Sequence, residues 1–344
     1  MFKYRFYSQL LPIFLIALVV FSNSCSLFNV KKTDKTSALL KTENASVPEL
    51  LAKINHLAKV NSLRAKMDLK FEDNSFAEIG IAEKYKSANS EVVIQRPSNI
   101  SLKVQVPFIG TDIVQMTSDG EKFRVAILED DAGGKYKRFV FGSNNADYSK
   151  LKEEVSRMEL NGNSEAIKKN VNAFSNLRPQ HFTEALLVRP TNQDYLYVQS
   201  EMFQDEVDTS TRKKSPTARV IRGYYILDEL AKSEDGKLKV SRRFWFDRVG
   251  GIRLARQQIF DEQSAIESDI VYGNEGNLSD NSDYRNLPLR IEVTRPKEKY
   301  KISLTYQTPE SVSIGKPYNR EVFVLENRWN LPEVDLDKRI STQP

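Results

Sequence analysis

Residues Glu91 to Leu128, EVVIQRPSNISLKVQVPFIGTDIVQMTSDGEKFRVAIL, decide the fold. Within them Ile100, Leu102, Val104 and Val106 alternate with polar residues, and so do Phe123, Val125 and Ile127. A period of two marks a strand with one buried and one wetted face. Asp119-Gly120 falls between two such runs, where a tight hairpin needs a residue that accepts positive φ.

The same alternation recurs outward in both directions: Leu63, Ala65, Met67, Leu69 and Phe71 upstream, then Leu289, Ile291, Val293 and Tyr300, Ile302, Leu304, Tyr306 downstream. Gly133-Gly134, Asp235-Gly236 and Gly250-Gly251 punctuate the intervening apolar runs. Strands joined this way predict an antiparallel meander, not a βαβ fold. Two segments break the pattern. Ser46-Val47-Pro48-Glu49 is a capping box ahead of Leu50, Ile54, Leu57 and Ala58, which predicts an amphipathic helix over 47–61. Tyr148, Leu151, Val155 and Met158, then Ile167, Val171 and Phe174, predict a helical insertion at about 147–187. The expected fold is mainly β with α: one strongly curved antiparallel sheet, a half-open β-barrel, with the helices packed in its concave face as a lid.

The N-terminus reads as an address. Lys3 and Arg5 precede the apolar run Leu10–Phe21, and Ser22-Asn23-Ser24 leads into Cys25, the single cysteine. The run is shorter than the roughly 20 apolar residues that span a bilayer, and it fits a signal-peptide core. Residues 1–24 are expected to be a lipoprotein signal peptide, with Cys25 then first in the chain and carrying diacylglycerol on its thiol. Lipobox sequences similar to this one usually have Leu and Ala or Ser where Ser22 and Asn23 stand. A secretory signal with an incidental cysteine and an uncleaved anchor helix are the alternatives. Ser26, not Asp, follows the cysteine; by resemblance to enterobacterial sorting this points to the outer membrane, the domain facing the periplasm. Residues 25–46 read as lipidated cysteine and flexible tether, 47–332 as one domain, and 333–344 as a polar tail.

Composition removes several chemistries. Among 344 residues, 51 Lys and Arg stand against 46 Asp and Glu, a net charge of +5 with the signs interleaved, which does not suit a nucleic-acid stripe. Arg212-Lys213-Lys214 is a local basic run, read as a solvated loop. The two histidines, His56 and His181, stand in no metal spacing, and neither a nucleophile elbow nor a phosphate-binding glycine loop is present. No catalytic residue, metal or cofactor is expected. Acid pairs such as Asp130-Asp131 and Glu153-Glu154 leave a cell-envelope hydrolase as a second alternative. A surplus of aromatic residues on strands, including Tyr224, Tyr225, Phe244, Trp245 and Phe246, suits either core or an apolar hollow that takes acyl chains.

The Glu91–Leu128 stretch, with Arg96-Pro97 opening a strand and Ser118-Asp119-Gly120 closing one, resembles the front half of the LolA/LolB family of periplasmic lipoprotein carriers and outer-membrane receptors. Phe244-Trp245-Phe246-Asp247 through Tyr272, then Leu287-Pro288-Leu289-Arg290, resemble its back half. The resemblance implies a membrane-anchored, non-enzymatic protein that binds lipid or lipoprotein acyl chains in outer-membrane lipoprotein or lipid trafficking, with a periplasmic carrier as a partner. A periplasmic sensor or scaffold that binds a protein partner is the alternative within the same fold. By position in the family, Arg96 would latch the helical lid, and Phe108 and Ile109, framed by Pro107 and Gly110, would form a loop that enters membrane.

Overall fold

The computed structural model describes residues 37–73, 83–84, 87–106, 110–129, 134, 137–146, 179–208, 219–233, 236–279 and 284–341. The chain divides into a small unit, residues 1–39 with 205–220, and a large one, residues 40–204 with 221–344. In chain order the elements are β1 (Ala38–Leu39), α1 (Val47–Leu57), β2 (Ser62–Asp73), β3 (Glu83–Lys84), β4 (Ala88–Gln95), β5 (Asn99–Gln105), β6 (Asp112–Asp119), β7 (Lys122–Ile127) and β8 (Arg138–Ser143). After α2 (Pro179–Leu186) come β9 (Leu196–Val207), β10 (Arg219–Lys232), β11 (Leu238–Asp247), β12 (Arg253–Phe260), β13 (Ile266–Gly276), β14 (Leu287–Arg295) and β15 (Tyr300–Tyr306). The chain continues through β16 (Ser313–Ile314) and β17 (Glu333–Asp335) to α3 (Leu336–Ser341).

In the large unit one sheet runs β10-β11-β12-β13-β14-β15-β2-β4-β5-β6-β7-β8, each strand antiparallel to the next. The strand β9 lies beyond β10, and β17 joins β8 in parallel. The sheet is curved and does not close. Register breaks at Glu229/Leu230, Trp245/Phe246 and Ile259/Phe260 fall on successive strands, and such bulges add twist and bend a sheet.

The alternation expected from sequence sets which face is buried. Leu63, Ala65, Met67, Leu69 and Phe71 all point inward, while Arg64, Lys66 and Lys70 stand on the other face. Register then aligns apolar rows across strands, as in Tyr272↔Ile291, Ile291↔Leu304 and Leu304↔Leu69. Such cross-strand pairs are the unit of sheet stabilisation. At the β6–β7 hairpin Gly120 takes φ +91°, and Asp119 Oδ1 accepts from the amides of Glu121 at 3.1 Å and Lys122 at 2.9 Å. Burial opposes ionisation of Asp119, but those amides and the Arg124 guanidinium outweigh it and hold the carboxyl below its ordinary range.

Both described helices of the expected lid bury their apolar side chains in the core that lines this sheet. Helix α1 contributes Leu50 and Ile54, and α2 contributes Phe182, Ala185 and Leu186. Ser46 caps α1: its amide and hydroxyl donate to the Glu49 carboxylate at 2.7 and 2.8 Å, which holds that carboxyl below its usual value. Helix α2 packs on β5, β6 and β14.

Three expectations change. Residues 40–46, read as the end of a tether, dock on the sheet because buried Arg248 donates to Glu43 O at 2.9 Å and Asn44 Oδ1 at 2.8 Å while stacking 4.2 Å above the Tyr225 ring. Residues 333–341, read as a polar tail, supply β17 and α3, and Asp337 accepts from the Ser143 amide at 3.1 Å. Helix α1 ends at Leu57, short of residue 61. Residues 1–24, expected to be a signal peptide, residues 147–178, expected to belong to a helical insertion, and the basic run at 212–214 lie outside the described residues.

Candidate functional site

Arg96 sits in the turn between β4 and β5, beside the ends of both helical segments. Its Nη2 donates to Ala58 O at 3.2 Å and Val188 O at 2.6 Å, its Nε to Val60 O at 3.2 Å, and its Nη1 to Leu187 O at 3.5 Å. These carbonyls belong to the chain leaving α1 and the chain leaving α2. Carbonyls at helix ends have no partner inside the helix, and a guanidinium is a flat fork of five donors suited to collecting them. Burial lowers the basicity of Arg96 from its ordinary value, and among the described residues no carboxylate pairs with it.

A second arginine, which sequence reading passed over, grips the next two carbonyls. Arg242 on β11 donates from Nη1 to Arg189 O at 2.9 Å and from Nη2 to Pro190 O at 3.0 Å. Its Nε bonds Glu229 Oε1 on β10 at 2.7 Å, and its Nη2 bonds Glu229 Oε2. The Tyr197 hydroxyl on β9 donates to Glu229 at 2.8 Å. Burial, with the hydrogen bond to Glu229 adding to it, pushes that phenol up to about 12. The side chains of Arg242 and Glu229 are only 2% and 1% exposed. Four successive carbonyls, 187 to 190, are therefore held by two guanidiniums from opposite halves of the sheet.

Polar contacts also join α2 to β14 and β15. His181 Nδ1 meets the Tyr300 hydroxyl, and Glu184 approaches buried Arg295 at 4.0 Å, with Glu267 and Glu298 sharing the same guanidinium. Burial pushes the Glu184 carboxyl above its usual range, against the pull of Arg295. Among the described residues no group of histidine, cysteine or carboxylate side chains is placed to hold a metal.

Beside α1 lies an open hollow of about 660 Å³, within the roughly 300–1,000 Å³ typical of small-molecule sites. Helix α1 lines it with Glu49, Lys53 and His56, the turns before β12 and β14 with Gly250, Gly251, Arg285 and Asn286, and the first residue of β12 with Arg253. Gly250 and Gly251 take φ of +70° and +108°, and a Cβ at either would meet no atom, so the backbone there stands open. This space is lined by charged residues with apolar ones between them. Phe244, Phe246 and Tyr225 fill core instead, whereas Trp245 is half-buried and packs on Tyr224, with the Arg256 guanidinium 5.2 Å from its ring centre.

Of the site residues expected from sequence, Arg96 alone is described; Cys25, Phe108 and Ile109 lie outside the described residues. Among them, no helix is long and apolar enough to cross a membrane.

No protein-family model and no curated protein matches the chain. Solved structures do. A LolA superfamily protein from Nitrosomonas europaea is similar over 82% of this chain and 99% of its own, with 10% identity and a TM-score of 0.37. A DUF1329 family protein from Desulfovibrio piger covers 80% and 95%, with 9% identity and a TM-score of 0.39. An outer membrane lipoprotein-sorting protein domain from Vibrio parahaemolyticus covers 80% and 94%, with 10% identity and a TM-score of 0.37. Each is a likeness of fold, and the half-open barrel with helices across its apolar face rests on this chain's own strand order and burial.

Proposed function

We propose that this protein is a non-enzymatic, lipid-anchored envelope protein that takes lipid or lipoprotein acyl chains between its helices and the concave face of the sheet. The observation that carries the reading is the convergence of both helix ends on Arg96. One guanidinium in the β4–β5 turn bonds the chain leaving each of the two covers of a single apolar face, and Arg242 holds the second cover as well.

The energetics allow exchange. Leu50, Ile54, Phe182 and Leu186 are each buried, and burying such a side chain contributes about 1.5–3 kcal/mol. An acyl chain of about fifteen methylenes would regain about 12 kcal/mol on the same face at about 0.8 kcal/mol per buried CH₂. A chain of that length can therefore replace the helices' apolar contacts, and the polar bonds of Arg96 and Arg242 set the resistance to opening.

In this reading Cys25 carries the anchor and Phe108 and Ile109 touch membrane. Two variants test that part. Cys25→Ser should move the protein from the membrane to the soluble fraction, and Phe108→Glu with Ile109→Glu should abolish transfer of a fluorescent acyl probe to vesicles while leaving the thermal midpoint unchanged. Continued membrane association of the first, or undiminished transfer by the second, contradicts the assignment. The acyl reading itself is tested by uptake of the same probe into the unmodified chain, where saturable binding is expected and its absence would exclude the reading.

A further inference from the structure

The hollow beside α1 is lined by charges of both signs. Lys53 and Arg285 line it and make no ion pair or hydrogen bond through their side chains among the described residues. Glu275, near the end of β13, also lines it and has no hydrogen bond to its carboxylate there. Arg253 is fixed: Asp247, which accepts from Arg222 at 2.8 Å, accepts from it at 2.6 Å. Glu49 is likewise engaged by Ser46. Between these groups Ala52, Leu57, Ile252, Leu254 and Pro288 supply apolar lining.

A purely anionic ligand would meet Glu275, and a purely cationic one would meet Lys53, Arg253 and Arg285. A ligand with an ammonium next to an anion satisfies both sets at once. Isolated exposed charges contribute little, but low-dielectric concave walls focus their fields. The apolar lining adds room for the first methylenes of a tail. We infer that this hollow binds an amphiphile whose headgroup carries a primary ammonium beside a phosphate or carboxylate, with Glu275 accepting from the ammonium and Arg285 and Lys53 donating to the anion. Burial raises the Glu275 carboxyl above its ordinary value, against the pull of Arg253 and Lys53. The inference deepens the acyl-binding reading, on which it rests for the tail alone.

The test uses the full chain in amphipol. Binding of dihexanoyl phosphatidylethanolamine, dihexanoyl phosphatidylglycerol, free phosphoethanolamine and a fluorescent fatty acid is measured by calorimetry or fluorescence. The ethanolamine lipid is expected to bind about tenfold or more tightly than the glycerol lipid, the effect of one charge-assisted hydrogen bond. Glu275→Gln should remove that preference, and Arg285→Met should weaken both lipids. Binding of free phosphoethanolamine as well would make the headgroup alone the ligand, and binding of the lipid alone would make it a lipid site; either supports the inference. Equal affinity for the two lipids, or a preference that survives Glu275→Gln, overturns it. Fatty-acid uptake without headgroup preference defeats this inference and spares the acyl reading; headgroup preference without fatty-acid uptake does the reverse.

Discussion

Arg242→Met is expected to destabilise the large unit by about 3–5 kcal/mol, because it leaves the Glu229 carboxylate buried without its cation. Both side chains are almost fully buried, so solvent cannot replace the lost partner. The same change frees the carbonyls of Arg189 and Pro190. Chemical denaturation should show a lower midpoint, and the double variant Arg242→Met with Glu229→Leu should recover part of the loss, since removing the carboxylate removes the orphaned charge. Recovery should be incomplete, because Tyr197 and the two carbonyls still lack their partners. A double variant no more stable than the single one would show that packing around Arg242, not its ion pair, carries the cost.

The second large effect concerns motion. Arg96→Met keeps most of the apolar stem and removes every donor, so the chain leaving α1 and the chain leaving α2 lose a shared charged partner worth about 1.5–3 kcal/mol per bond at most. Amide hydrogen exchange through α2 should accelerate by about tenfold or more, which corresponds to about 1.4 kcal/mol, and an acyl probe should enter faster. Arg96→Lys should fall between, because an ammonium is a point donor that cannot span carbonyls on two segments. Exchange in α2 indistinguishable from that of the unmodified chain would remove Arg96 from any role in holding the helices.

Much of the architecture was legible in the residues because burial on one face imposes a period of two, and β5 and β15 keep it without interruption. The capping box located the start of α1 for an equally local reason. What escaped was charge turned inward. Arg242 shares its side of β11 with Phe244 and Phe246, and Glu229 shares its side of β10 with Tyr225 and Leu227. Read by position in the alternation, both fall on the core side, one of each sign on paired strands. Arg295 repeats the pattern behind Ile291 and Val293. The docked segment at 40–46 and the strand at 333–335 escaped differently, since backbone atoms and the distant Arg248 hold them and neither leaves a local periodicity.

The hollow was invisible for a third reason. Its lining comes from α1, two turns and the end of β13, far apart in sequence, and only the folded chain brings Lys53, Glu275 and Arg285 to one hollow. Arg96 was readable because it stands before Pro97 at the opening of a strand, but the four carbonyls it reaches were not.

The central claim, that the helices and the apolar sheet face together take an acyl chain, is tested most directly by native mass spectrometry of the full chain released from envelope membranes. The unmodified protein should carry a bound mass in the range of a lipid or lipoprotein acyl chain, depleted in Arg96→Met, whose helices no longer hold their cargo closed. A chain free of adducts, which also fails to retain an added acyl probe, would contradict it.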